Sequence, residues 1–238
     1  MFDFTGKVVV VTGAAGNLGS AVARAFAGAG AHLVLVDRGE GRLAAVNPEL
    51  AVSGDHILAN SIDLVNEESV NQMVASAVGR FERIDVLANT VGGYRAGTPL
   101  HETALGTWDF MMDLNAKTAF IISKAVIPYM LVQGSGKIVN VAARAGLSGG
   151  AQMSAYSASK SALIRLTESM AAELKTHGIN VNCILPGTID SPDNRAAMPK
   201  ADFARWVKPE SLADVILFLA SEAARDIHGA SIPVVGRS

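Results

Sequence analysis

Short apolar runs recur along the chain, each closed by a turn and followed by helical periodicity. Residues 7–12 (KVVVVT) are an almost unbroken β-branched run, the pattern of a strand covered on both faces. Glycines at 13, 16 and 19 follow, and apolar periodicity over 20–29 predicts a helix closed by Gly30. A second buried strand, 32–36, runs into Asp37. Further strands are predicted at 56–60, 84–88, 137–141, 179–185 and 230–235. Helices are predicted at 67–81, 107–133, 154–176 and 211–220, the first of these capped by Asn66. Seven strands with helices between them predict one α/β domain over 1–238, a doubly wound parallel sheet with helices on both faces.

Composition narrows the function. The 238 residues suit a single large domain, and a hydrophobic fraction of 50% with 23 glycines suits buried strands joined by tight turns. A net charge of −2 argues against nucleic acid or an anionic membrane as partner. The longest apolar candidate, 118–132, is interrupted by Lys124 and Pro128, so no membrane span is expected. The N-terminus lacks a basic start and an apolar core before a cleavage site. Cys183 is the only cysteine and lies in an apolar run, as a small core residue would. A cytoplasmic setting is expected, and no metal site.

Strand, glycine loop, helix, strand and acid together make a βαβ unit with a dinucleotide-binding fingerprint, which makes the sheet Rossmann-type. The loop Gly13, Gly16, Asn17, Leu18 and Gly19 would let backbone approach a pyrophosphate at a helix N-terminus. Asp37 stands where a carboxylate would accept hydrogen bonds from the adenosine ribose and repel a 2′-phosphate. NAD(H) is therefore favoured. Arg38 keeps NADP(H) as an alternative. Far along the chain, Tyr156 and Lys160 are four residues apart and share a helix face. A nearby ammonium would lower the tyrosine pKa toward a value useful for proton transfer.

In this order these motifs resemble the short-chain dehydrogenase/reductase superfamily from end to end. Gly13, Gly16 and Gly19 match its cofactor loop, and Asp63 with Leu64 its adenine contact. Asn89-Thr90-Val91-Gly92 matches the motif that supports the sheet behind the adenosine, and Pro186-Gly187-Thr188, with Ser191, the nicotinamide-side loop. Asn115, Tyr156 and Lys160 match three of four catalytic positions. The resemblance implies hydride transfer between a nicotinamide and a small-molecule substrate. Tyr156 would exchange the proton, Lys160 would assist it and bind the nicotinamide ribose, and Asn115 would hold a water. It also implies a homodimer or homotetramer.

Two departures stand out. Asn17 replaces a glycine, and Ala143, thirteen residues before Tyr156, replaces the catalytic serine. Losing one oxyanion donor costs on the order of 100- to 1,000-fold in rate. An acceptor reduced into a conjugated ring needs no second donor. Ala143 and residues 191–206 locally resemble dihydropteridine reductases, so a quinonoid dihydropterin-like substrate is the first expectation. Ordinary carbonyls or secondary alcohols, such as 3-oxoacyl thioesters or ketones, are the alternative. A non-catalytic NAD-binding sensor or scaffold is the second. Tyr94, Arg95, Arg144, Gln152, Arg195 and Met198 are expected near the substrate.

Overall fold

The computed structural model describes residues 2–237. Seven parallel strands form one sheet: β1 Val8–Thr12, β2 His32–Val36, β3 Ile57–Ala59, β4 Val86–Asn89, β5 Gly136–Val141, β6 Ile179–Pro186 and β7 Ser231–Val234. Their spatial order is β3-β2-β1-β4-β5-β6-β7, with every neighbouring pair parallel. The order reverses between β1 and β4, the place where doubly wound sheets open a crevice at the strands' carboxyl ends. The expected Rossmann-type sheet is the one observed.

Helices cover both faces. α1 (Asn17–Gly28) and α9 (Pro209–Ala220) pack on one side, and Phe26, Leu33, Leu35 and Ile216 form part of that core. α4 (Glu67–Phe81), α6 (Thr118–Gln133) and α7 (Ser154–Leu174) cover the other, over Val10, Leu87 and Ile138. The pattern located all seven strands to within two residues, because β1, β4, β5 and β6, buried on both faces, and nearly all of β2 read as near-continuous apolar runs. α4 begins and ends where predicted: Asn66 accepts a hydrogen bond from the Ser69 N–H at 3.1 Å at its start, and Glu82 in left-handed backbone closes it.

Three short helices escaped prediction: α2 (Arg42–Val46), α3 (Pro48–Val52) and α8 (Pro192–Ala197). None is long enough to display helical periodicity. The helix expected over 107–133 is instead α5 (Leu105–Met112), a π-helical turn at Asp113–Lys117, and α6. Among the described residues no helix is long and apolar enough to cross a membrane, and no group of His, Cys, Asp or Glu could hold a metal.

Beneath the site, buried polar side chains cross the sheet. Thr12 donates to Asn89 Oδ1 at 2.7 Å, Asn89 to Asn140 Oδ1 at 3.3 Å, and Asn140 to Thr167 Oγ1 at 2.9 Å. This chain ties β1, β4, β5 and α7 together, and satisfied buried networks of this kind hold elements in one arrangement.

Candidate active site

The glycine loop turns where β1 meets α1. Gly13 is left-handed, at φ +63°, and a Cβ at Gly19 would stand 2.1 Å from the Gly13 carbonyl oxygen. Gly19 thus permits close packing of helix on loop, while Leu18 is buried in the core. Gly16 caps α1 without any side-chain hydrogen bond, so the first turn presents backbone N–H groups and positive dipole outward. A groove of about 490 Å³ opens there. Gly13, Gly16, Asp37, Asp63 and Leu64 line it together.

The remaining expected cofactor residues are not part of the groove lining. Asn89 is buried behind it in the polar chain, and its successors Thr90, Val91 and Gly92 form the wall instead. Asn17 donates to the Asp190 carbonyl at 3.2 Å, tying the glycine loop to the segment after β6. Pro186 ends β6, and Gly187 and Thr188 follow; the Gly187 N–H is bonded to Val234 and the Thr188 carbonyl to Val207. Sequence reasoning missed Arg42. Its guanidinium lies 3.4 Å from Asp37 and 3.4 Å from the Ala15 carbonyl, and it lines the groove beside Arg38. The turn at Gly39-Glu40-Gly41 brings it back. A Cβ at Gly39 would meet the Arg42 Cδ at 2.3 Å.

The π turn sets Asn115 inward, where it is 1% exposed. Its amide is fully engaged. Oδ1 accepts from the Gly93 N–H at 2.9 Å, and Nδ2 donates to the Gly93 carbonyl at 3.1 Å and to Ser159 Oγ at 3.0 Å. The side chain clamps the Gly92–Gly93 segment after β4 to α7.

Lys160 is buried, and its Nζ donates to the Val141 carbonyl at 3.0 Å. Burial pulls its pKa down to about 8. A Cβ at Gly92 would stand 2.9 Å from Lys160 Nζ and 3.1 Å from Asn115 Oδ1, so Gly92 leaves both groups reachable. Tyr156 is half-buried one turn earlier, its ring edge-on to Tyr94 at 4.8 Å. Its pKa does not fall as expected. Burial, with a smaller contribution from Tyr94, pushes it up to about 12. A desolvated phenol resists ionisation.

A second cavity, of about 440 Å³, opens beside Tyr94 and is lined by Arg95, Thr107, Gln152, Met153 and Ser154 among others. Of the expected substrate-side residues, Tyr94, Arg95 and Gln152 meet here. Arg195 is instead bound to Asp190 through two hydrogen bonds, at 2.6 and 2.7 Å, and lies over Phe203. Arg144 and Met198 are exposed and line neither cavity. Ala143 is buried in extended backbone and offers no donor where the serine was sought.

Known proteins resemble this chain over nearly its whole length. The short chain dehydrogenase family matches residues 7–202. A 3-oxoacyl-[acyl-carrier-protein] reductase of Synechocystis sp. is 36% identical over 99% of this chain and 98% of that protein. A cis-4-hydroxycyclohexanecarboxylate dehydrogenase of Sinomonas cyclohexanicum is 36% identical over 98% of this chain and 96% of that one. The crystal structure of gox2181 superposes with a TM-score of 0.91 at 31% identity, covering 98% of this chain and 96% of that one. The chain belongs to the short-chain dehydrogenase family. It is an NAD(P)-dependent oxidoreductase of that type.

Proposed function

We propose that the protein interconverts an ordinary carbonyl and a secondary alcohol, using NAD(H) in preference to NADP(H). The placement of Tyr156 carries this reading: Ala155 before it lines the 440 Å³ cavity, and Lys160 one turn on lies against Gly92 of the groove wall. The nicotinamide supplies or accepts hydride when bound. A phenol held at about 12 stays protonated at neutral pH, the state required to protonate a substrate oxygen during reduction. Lys160 beneath it supplies an ammonium whose pKa of about 8 lets it take and release protons near neutrality. Asn115 positions the Gly93 backbone and α7 against each other.

The glycine loop fits a pyrophosphate, because its uncapped N–H groups face the groove and side chains at Gly13 or Gly19 would collide with its own walls. Asp37 supports NAD(H), since its carboxylate would oppose a 2′-phosphate and Arg42 is held against it. The cited relatives act on an oxoacyl group and a hydroxylated ring acid, so the expectation of a quinonoid dihydropterin gives way to the carbonyl reading. Exposed Leu105 and Trp108 on α5 and Phe120 on α6 support a homodimer or homotetramer. Ala143 is the one feature favouring a non-catalytic NAD-binding protein.

The test is NADH oxidation with a 3-oxoacyl thioester, simple ketones and quinonoid dihydropterin offered separately to wild type and Tyr156→Phe. We expect carbonyl turnover to exceed pterin turnover. The substitution should lower kcat by about 10²- to 10⁴-fold while NADH binding persists. Equal turnover by the variant would remove Tyr156 from the chemistry.

A further inference from the structure

The 440 Å³ cavity is within the range of about 300–1,000 Å³ usual for small-molecule sites, and its electrostatics are one-sided. Arg95 is the only charged residue in its lining; the others are aromatic, small, neutral polar or, at Met153, apolar. Among the described residues no carboxylate pairs with the Arg95 guanidinium, and no protein group accepts a hydrogen bond from it. Its carbon lies 3.6 Å from the centroid of the Phe110 ring. Stacking of this kind holds the planar group flat and leaves its N–H edge free.

Stacking on an aromatic ring recurs at Arg80 and Arg195. Arg42, Arg83 and Arg195 each face a carboxylate of the chain. Phe110 also lines the 490 Å³ groove, so the Arg95 platform lies between groove and cavity. Tyr94, the residue before Arg95, touches the Tyr156 ring at 4.8 Å. The cation is thus one residue removed from the aromatic that contacts the proposed proton donor.

We infer that Arg95 is an anion receptor and that the substrate is a small oxo or hydroxy acid. Its carboxylate is bound in bidentate fashion by Arg95, a few bonds from the carbon that exchanges hydride. This inference rests on the oxidoreductase reading and adds the charge of the substrate to it. Arg95 fixes which end of the substrate faces Tyr156 and selects against uncharged ketones. The guanidinium fork matches a carboxylate in geometry, and a charged acceptor here replaces only water.

The experiment compares matched pairs: 3-oxobutanoate, 4-oxopentanoate and 4-oxocyclohexanecarboxylate, each against its methyl ester, with NADH and with NADPH. For wild type, at least one acid should exceed its ester by about 10- to 100-fold in kcat/KM, the range a charge-assisted hydrogen bond spans. Arg95→Met, which retains an apolar stem over Phe110, should bring the acid-to-ester ratio toward one, chiefly by raising KM for the acid. Arg95→Lys should recover part of the ratio. NADH binding, followed by its fluorescence, reports whether each variant is folded and should not change. Esters turned over as well as acids, or a ratio unchanged in Arg95→Met, would overturn the inference and leave the oxidoreductase reading standing. No turnover of any pair with either cofactor would likewise overturn the inference, while the thioester and ketone assay above tests the oxidoreductase reading separately.

Discussion

At the amino ends of the strands, Asp85 is buried and accepts from the Val8 N–H at 2.9 Å, from Arg83 at 2.7 and 2.5 Å, and from Lys7 at 3.4 Å. Burial pushes its carboxyl up, but Arg83, Val8 and Lys7 outweigh it and hold the pKa below the usual value. Lys137 at the same end donates to Asn180 at 2.8 Å with Glu222 at 3.7 Å, so burial lowers its pKa against opposing carboxylates. At the carboxyl ends, Lys160 is more deeply buried and has one carbonyl for a partner. Arg95 has an aromatic ring and no carboxylate among the described residues. One end of the sheet neutralises its charges from within the chain. The other pairs Asp37 with Arg42 and Asp190 with Arg195 yet leaves Lys160 and Arg95 without a carboxylate among the described residues, and a buried, shifted group such as Lys160 is the kind that marks functional sites.

The largest expected break of that contrast is Lys160→Met. Turnover should fall by about 10²- to 10⁴-fold, while stability at pH 7 rises by up to about 3 kcal/mol. The unfolded chain holds this lysine near 10.5 and the folded protein at about 8. Between those values the unfolded state carries more protons, so wild-type stability climbs with pH across the window. The burial penalty is full below pH 8 and gone above 10.5. The variant's advantage should therefore shrink from pH 7 to pH 10 in urea denaturation, less the lost bond to Val141. A variant destabilised at pH 7 would show that Lys160 is a structural lysine like Lys137.

Asp85→Ala tests the other end. The Val8 N–H loses its acceptor inside the core, whereas Arg83 and Lys7, each near half exposed, regain water. The expected loss is about 1–3 kcal/mol, discounted for that exposure, with kcat/KM unchanged. Because the folded pKa lies below 3.8, the Asp85 contribution is full above that pH and fades as pH falls beneath it. Wild type and variant should converge in acid denaturation.

Much of this contrast was hidden in the sequence. Periodicity located the strands because burial on both faces leaves a continuous apolar run, and Asn66 marked the α4 start because its cap is local. The glycine loop and the Tyr156–Lys160 pair were legible from spacing. The direction of the Tyr156 shift was not, since desolvation depends on what the fold packs around the ring. Nor was the π turn, whose hydrogen bonding leaves no compositional trace, or the clamp it gives Asn115. Arg42 follows Asp37 by five residues, and only the glycine turn between them hinted that it folds back. Phe110 gave no sign that it would underlie Arg95, fifteen residues away.

The smallest effect tests whether location or satisfaction divides the two ends. Asn66 lies beyond β3 at the carboxyl edge, close to the groove, yet its side-chain oxygen and backbone N–H are both bonded. Its side chain accepts from Ser69, its N–H reaches the Asp63 carbonyl at 3.0 Å, and Asp63 Oδ1 accepts from the Val65 N–H at 3.1 Å. If satisfaction is what matters, Asn66→Ala behaves like an amino-end substitution. It should lower stability by about 1 kcal/mol, the usual cost of a lost helix cap, with NADH affinity and kcat unchanged. Thermal denaturation and NADH titration read the two quantities separately. A weakened NADH affinity would show that the turn passes its strain to Asp63, one of the groove residues. The dividing line would then follow distance from the groove rather than the completeness of each group's bonds.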